Sequence, residues 1–127
     1  MASVIVKQGE DKLITTDVFD SQNNPIDLST VESIRGKLCV NKEEQKRYAD
    51  TEITDYGTLR VAQNPTNRVI WELERVDTAL FPKGKIELYL LVQFVDSDFD
   101  DGNKSTEFGP YFVGQVKDGV LKDEPLP

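Results

Sequence analysis

Apolar and polar residues alternate with a period of two over most of this chain, and no long segment carries the 3.6-residue period of an amphipathic helix. Val69, Trp71 and Leu73 alternate with Arg68, Ile70 and Glu72. Ile34, Gly36, Leu38 and Val40 alternate with Ser33, Arg35, Lys37 and Cys39, and Ile14, Thr16 and Val18 with Leu13, Thr15 and Asp17. Successive strand side chains point to opposite faces, so each segment can bury one face and wet the other. The pattern therefore confines the chain to layered β-sheet.

Turn signals divide the strands at intervals of about eight to twelve residues, the spacing of a sandwich or small barrel. Gln8-Gly9-Glu10-Asp11 ends an opening strand around Val4 to Lys7, and Asp20 to Pro25 is a dense turn cluster. Asn41 to Asp50 is strongly polar, which admits a short solvated helix or the bulged tip of a long hairpin and favours an exposed connection carrying a helical turn. Thr51–Thr54 and Thr58–Ala62 read as short strands around an Asp55-Tyr56-Gly57 turn. Val76 to Phe81 reads as one helical turn that stops before Pro82, because a residue preceding proline avoids the helical region. Lys85 to Val95 is largely apolar on both faces, Ile86, Leu88, Leu90, Val92 and Phe94 against Tyr89, Leu91 and Val95, as expected of a central strand covered on both sides or of an interface. Ser105 to Val116, bent at Gly109-Pro110, closes the set. The prediction is an all-β fold, an antiparallel β-sandwich of about seven or eight strands. Residues 1–116 are expected to form a single domain and 117–127 a polar tail.

Composition removes several function classes. The 127 residues include no His, so imidazole bases, His-ligated zinc and Ser-His or Cys-His nucleophile pairs are excluded. Cys39 is the sole cysteine, which excludes an internal disulfide and any cysteine cluster. A net charge of −8 opposes binding to nucleic acid and to anionic membranes. The longest nearly apolar run, Ile86 to Val95, is half the ~20 residues that a spanning helix needs. No secretory signal is evident at the N-terminus, so synthesis in a cytoplasm is expected.

Few residue patterns point to chemistry. Asp96, Asp98 and Asp100, with Glu107 at position twelve, partly match a calcium-binding loop, whose hard cation takes six to eight oxygens. Asp101 stands at position six where that loop needs Gly, and the flanks read as strands rather than helices. A solvated hairpin loop is therefore the expectation, with no resident cofactor. Cys39 is expected to act as a small hydrophobe between layers, and Trp71 as core. Tyr89, Leu91 and Val95 form the second apolar face of the central strand and are the interface candidates, since large exposed apolar patches mark interaction sites.

Two steps in the chain carry a family resemblance: Asn23-Asn24-Pro25-Ile26-Asp27-Leu28-Ser29, and Leu80-Phe81-Pro82-Lys83-Gly84 leading to Leu90. With the order of the strands around them, they resemble the immunoglobulin-like domain of phage virion accessory proteins, similar to the N-terminal domain of baseplate upper proteins. Those proteins continue into a stalk and receptor-adaptor region, whereas this sequence stops at Pro127, so a head, neck or tail accessory piece is the closer expectation. The resemblance implies an immunoglobulin-like sandwich in a non-catalytic virion component, with other virion proteins and a second copy as partners. A carbohydrate-binding sandwich, with Trp71 and tyrosines as sugar platforms, is the alternative.

Overall fold

The computed structural model describes residues 3–51 and 58–120. Among them the chain runs β1 (Val4–Lys7), β2 (Lys12–Asp17), β3 (Ser33–Val40), β4 (Glu43–Thr51), β5 (Leu59–Val61) and β6 (Arg68–Leu73). It continues through α1 (Arg75–Thr78), β7 (Gly84–Val95) and β8 (Asn103–Lys117). Five strands form one sheet in the order β1-β8-β7-β3-β4, and three form a second in the order β2-β6-β5. All pairs are antiparallel except β1, which lies parallel to β8. With β2 as B, β3 as C and so on to β8 as G, this is the immunoglobulin arrangement, A′-G-F-C-C′ packed on B-E-D. The fold is an immunoglobulin-like β-sandwich.

The period-two segments build its core as the alternation requires. Ile34, Leu38 and Val40 of β3 and Ile86, Leu88, Leu90 and Val92 of β7 turn inward, against Ile14, Leu59, Val69, Trp71 and Leu73 of the smaller sheet. Trp71 is fully buried: its Nε1–H donates to Thr16 Oγ1 at 2.9 Å, and its ring meets that of Tyr48 edge-on at 5.4 Å. Antibody domains carry their buried tryptophan on strand C. Here it comes from β6, on the opposite sheet.

Asn41 to Asp50 departs from expectation. It is not an exposed connection with a helical turn. Asn41 and Lys42, with φ of 53° and 68°, form a two-residue turn between β3 and β4, whose ends pair Val40 with Glu43. Positive φ at both central residues matches the twist of flanking strands. Asn41 is tied across the sheet as well: its Nδ2 donates to Lys83 O at 2.7 Å, and Lys85 N–H donates to its Oδ1 at 3.2 Å. β4 is polar because it is a sheet edge, where charges keep other strands from pairing. Along it Tyr48 is buried, while Lys46 reaches past the Tyr48 ring to Asp77 at 2.8 Å.

The helical turn α1 sits one residue earlier than expected, over Arg75–Thr78. Thr78 fixes it to the β1–β2 turn, since its Oγ1 donates to Glu10 O at 2.8 Å and accepts from Gly9 N–H at 3.2 Å. The Asp20 to Pro25 turn forms as read, with Asp20 Oδ1 accepting the amides of Gln22 and Asn24, both at 2.9 Å. β8 extends through Lys117, whose carbonyl accepts the Gln8 amide at 3.0 Å. The expected Asp55-Tyr56-Gly57 turn and the strand before it beyond Thr51 lie outside the described residues, as does the tail from 121 to 127.

Candidate functional site

The outer face of the five-stranded sheet gathers the interface candidates. Register fixes its rows. Arg35 of β3 is opposite Leu91 of β7, and Leu91 is opposite Glu107 of β8. In the next row Arg47 of β4 is opposite Lys37, and Lys37 is opposite Tyr89. Further along, Cys39 is opposite Glu87, which is opposite Phe112. Directly opposed residues share a face, so the three rows make one continuous surface.

Tyr89 and Leu91 are half-buried on it, while Val95 is 67% exposed and Phe112 66% exposed. The Lys37 ammonium lies 4.8 Å from the Tyr89 ring centroid, a cation–π distance. The Tyr89 hydroxyl donates to Glu87 Oε2 at 3.0 Å. That hydrogen bond to a carboxylate, with some burial, raises the Tyr89 pKa above the ordinary tyrosine range. Glu87 itself is buried on this outer face. Arg47 holds Glu44 at 2.6 Å. Arg35, Lys37, Arg47, Tyr89, Leu91 and Glu107 line a shallow groove of about 220 Å³. Flat apolar centre and charged rim suit contact with a surface, rather than enclosure of a small molecule.

Two β-bulges frame the Tyr89 row. On β8, Gly109 and Pro110 stand between the partners of Leu88 and Leu90, where β7 has only Tyr89, and β4 carries an irregularity opposite Arg35. Extra residues of this kind bend a strand and turn its side chains to new directions. The bend read at Gly109-Pro110 is one of two bulges in β8, the other falling at Val113.

Cys39 is buried, and burial raises its thiol pKa. A protonated, inaccessible thiol is a poor nucleophile. The side chain is not between the layers as expected: it lies on the outer face, opposite Glu44 and Glu87, while Leu38 and Val40 beside it turn into the core.

The acidic segment is the β7–β8 hairpin loop. Asp96 N–H donates to Gly102 O at 2.8 Å, and Asp96 Oδ1 accepts the Asp98 amide at 3.0 Å. Asp101 Oδ1 accepts the Asn103 amide at 3.0 Å. Glu107 does not join Asp96, Asp98 and Asp100: it lies in β8 opposite Leu91, four residues up the strand from Asn103 and so ~13 Å away along it. Among the described residues, no group of three or more acidic or thiol side chains is placed to hold a metal ion. Trp71 has no exposed surface and offers no sugar platform.

A larger depression of about 530 Å³ lies at the end of the small sheet beside α1, lined by Leu13, Glu72, Arg75 and Val76 among others. Asp11, which also lines it, accepts the Arg75 amide at 2.7 Å and lies 3.6 Å from the Arg75 guanidinium. Those charges are spent within the fold.

Sequence reading placed Arg35 and Lys37 on a solvent side but did not connect them with Tyr89 and Leu91. Strand pairing brings them together, and pairing is a long-range relation that single-strand periodicity does not contain. No family model, curated protein or solved structure matches this chain.

Proposed function

We propose that this chain is a non-catalytic structural component of a bacteriophage particle, an accessory protein of head, neck or tail that acts through protein–protein contacts. One observation carries the contact role. Tyr89, Leu91 and Val95 line the outer side of the central strand and are left partly or largely to solvent, within a face of mixed charge. The sandwich is stabilised by the inward side of this strand, so Tyr89, Leu91 and Val95, set among Glu87 and Gln93 on its outer side, are available to a partner. The residue inventory fits binding better than catalysis: there is no imidazole, and the one thiol is buried. The phage assignment is supported by the Asn23–Ser29 and Leu80–Leu90 steps described above. The protein would then be made in a host cytoplasm and end in the virion.

The test is quantitative mass spectrometry of purified particles from cells that express the chain. Expected is a fixed copy number per particle, lost when Leu91 is replaced by Asp while the purified variant stays folded. A chain that stays in the lysate, absent from particles, overturns the proposal.

A further inference from the structure

We propose that the open edge of β2 binds an extended peptide segment of a partner as an added antiparallel strand, with a lysine or arginine of that segment anchored beside Glu72 and Glu74. The inference goes beyond the contact role of the five-stranded sheet and uses a different surface.

The backbone defines the site. β2 is an edge of the three-stranded sheet, in the order β2-β6-β5. The Val18 amide donates to the Asn67 carbonyl at 2.8 Å, continuing the register in which Ile14 is opposite Trp71 and Thr16 opposite Val69. In an antiparallel ladder every second residue bonds the same neighbour. Ile14 and Thr16 therefore spend their backbone groups on β6, while Leu13, Thr15 and Asp17 each hold an N–H and a C=O toward the other side. Among the described residues, no strand lies there and no backbone group answers them. Such groups recur every ~7 Å along a strand, a spacing that a second extended chain matches.

Other edges of the fold are closed to such pairing. Lys7 of β1 has both backbone groups tied to Glu10: its N–H donates to Glu10 Oε1 at 3.2 Å, and its carbonyl accepts the Glu10 amide at 3.1 Å. β4 carries Glu43, Glu44, Lys46 and Arg47, with two irregularities in its register. β2 has neither device. Its register with β6 is unbroken from Lys12 to Asp17, and Leu13 to Thr16 is uncharged.

Side chains select the occupant. At its start the β2 edge adjoins the depression of about 530 Å³ beside α1, lined by Leu13, Glu72, Glu74 and Val76 among others. Leu13 is 55% exposed and Val76 42%, so the depression offers apolar surface. The charges of Asp11 and Arg75 meet one another there, and Lys12 lies 4.0 Å from Glu10. Among the described residues, no cation pairs with Glu72 or Glu74. On an added strand, the residue opposite Leu13 shares a face with Glu72, two strand spacings or ~10 Å away. A lysine or arginine at that place lays its stem over Leu13 and brings its charge to the carboxylates. A basic segment is also drawn toward a chain of net charge −8. Strand addition takes its affinity from main-chain bonds and its specificity from side-chain pockets.

Titration with the peptide acetyl-Thr-Val-Thr-Val-Lys-Val-amide, followed by the amide NMR shifts of the protein, tests this. Aligned antiparallel, its first, third and fifth residues face Asp17, Thr15 and Leu13, which puts the lysine at the anchor. Saturable shifts are expected at those three amides, with a dissociation constant on the order of hundreds of micromolar, as suits so small a contact. Replacing the lysine by glutamate, or methylating the third nitrogen, should each weaken binding roughly fivefold or more. Glu72→Gln with Glu74→Gln should bring the lysine and glutamate peptides to similar affinity, with the near-ultraviolet dichroism of buried Trp71 reporting that the variant is folded. No shift at millimolar peptide, shifts centred elsewhere, or equal binding of all three peptides overturns the proposal. Shifts at the three amides that grow with protein concentration alone would give the edge to a second copy, and would overturn it too. Absence of the chain from particles would remove the virion role and leave peptide binding standing, and failure of the peptide would do the reverse.

Discussion

A Cβ added to Gly36 would lie 2.5 Å from Cζ3 and 2.6 Å from Cη2 of Trp71, so glycine in β3 is what lets a tryptophan from β6 cross the sandwich. The indole cannot slide away. Its Nε1–H is held by Thr16, its ring meets Tyr48 in a T-shaped contact, and the Tyr48 hydroxyl donates to the Glu72 carbonyl at 3.1 Å.

Gly36→Ala should therefore lower stability by about 1–3 kcal/mol, the usual cost of overpacking a tight core. Trp71→Ala should cost about 3–5 kcal/mol by leaving a cavity. The combination of Gly36→Ala with Trp71→Phe should cost less than the sum of the single changes, because the smaller ring makes room for the added methyl. Urea denaturation midpoints with a common m-value check all three. An additive double variant would mean that the two residues do not press on one another.

Asn41 makes the second prediction. Its φ of 53° disfavours alanine, and its amide bridges Lys83 and Lys85. Asn41→Ala should cost about 1–3 kcal/mol through the lost hydrogen bonds, with backbone strain added. Asn41→Gly loses the same bonds without the strain and should be the milder change. Equal thermal midpoints for the two variants would remove the strain contribution.

Asn41 also shows where sequence reading stops. The inward sets of β2, β3, β6 and β7 were legible because one wet face and one dry face impose alternation on a strand. β4 was not. Its inward positions include Lys46, which meets the core with its aliphatic stem and ends on Asp77, so the run from Asn41 reads as polar throughout. Its turn uses Asn-Lys, without the glycine that usually marks a two-residue hairpin. For the outer face, the apolar half (Tyr89, Leu91, Val95) was readable from β7 alone. The charged half was not assignable, because Arg35 and Glu107 come from strands far apart in sequence and meet only through register.

The acidic hairpin gives a third expectation. Because Glu107 stands apart from Asp96, Asp98 and Asp100, millimolar calcium should leave the melting temperature unchanged within about a degree, as linkage requires of an ion that does not bind the folded state preferentially. A rise of several degrees that Asp98→Ala removes would place an ion in the loop.

Alkaline pH supplies the fourth. Burial, with Asp77, Glu74 and Glu72 nearby, raises the Tyr48 pKa far above that of an exposed tyrosine. The unfolded chain gives up this proton near pH 10 while the folded chain keeps it. Between the two pKa values the folded state binds more protons, so stability is fully present below about pH 10 and falls as pH rises beyond it. The slope from one such group is at most ~1.4 kcal/mol per pH unit. Tyr48→Phe should flatten this fall, after a cost of about 0.5–1.5 kcal/mol at neutral pH for the hydroxyl bond to Glu72. Denaturant midpoints measured from pH 8 upward for both proteins decide it. Parallel curves would mean that Tyr48 does not govern the alkaline limit.

The last prediction concerns β1. Val4 pairs with Gly114, and a Cβ at Gly114 would lie 1.8 Å from the Val4 carbonyl oxygen and 2.8 Å from its nitrogen. Both contacts are backbone, so no side-chain rotation relieves them. Gly114→Ala should therefore force β1 off the edge of β8 while the other strands stay paired. Val6, the wholly buried residue of β1, would lose its packing, and exposing it costs about 1.5–3 kcal/mol. The release is local, because β1 touches the sheet along β8 and the β7, β3 and β4 ladders do not depend on it. Amide hydrogen exchange should then be fast at Val4–Lys7 and at Gln8, whose amide bonds the Lys117 carbonyl, yet remain slow through β3 and β7. Uniformly slow exchange with an unchanged midpoint would show that β1 accommodates the methyl. Uniformly fast exchange would show instead that β1 is part of the cooperative core.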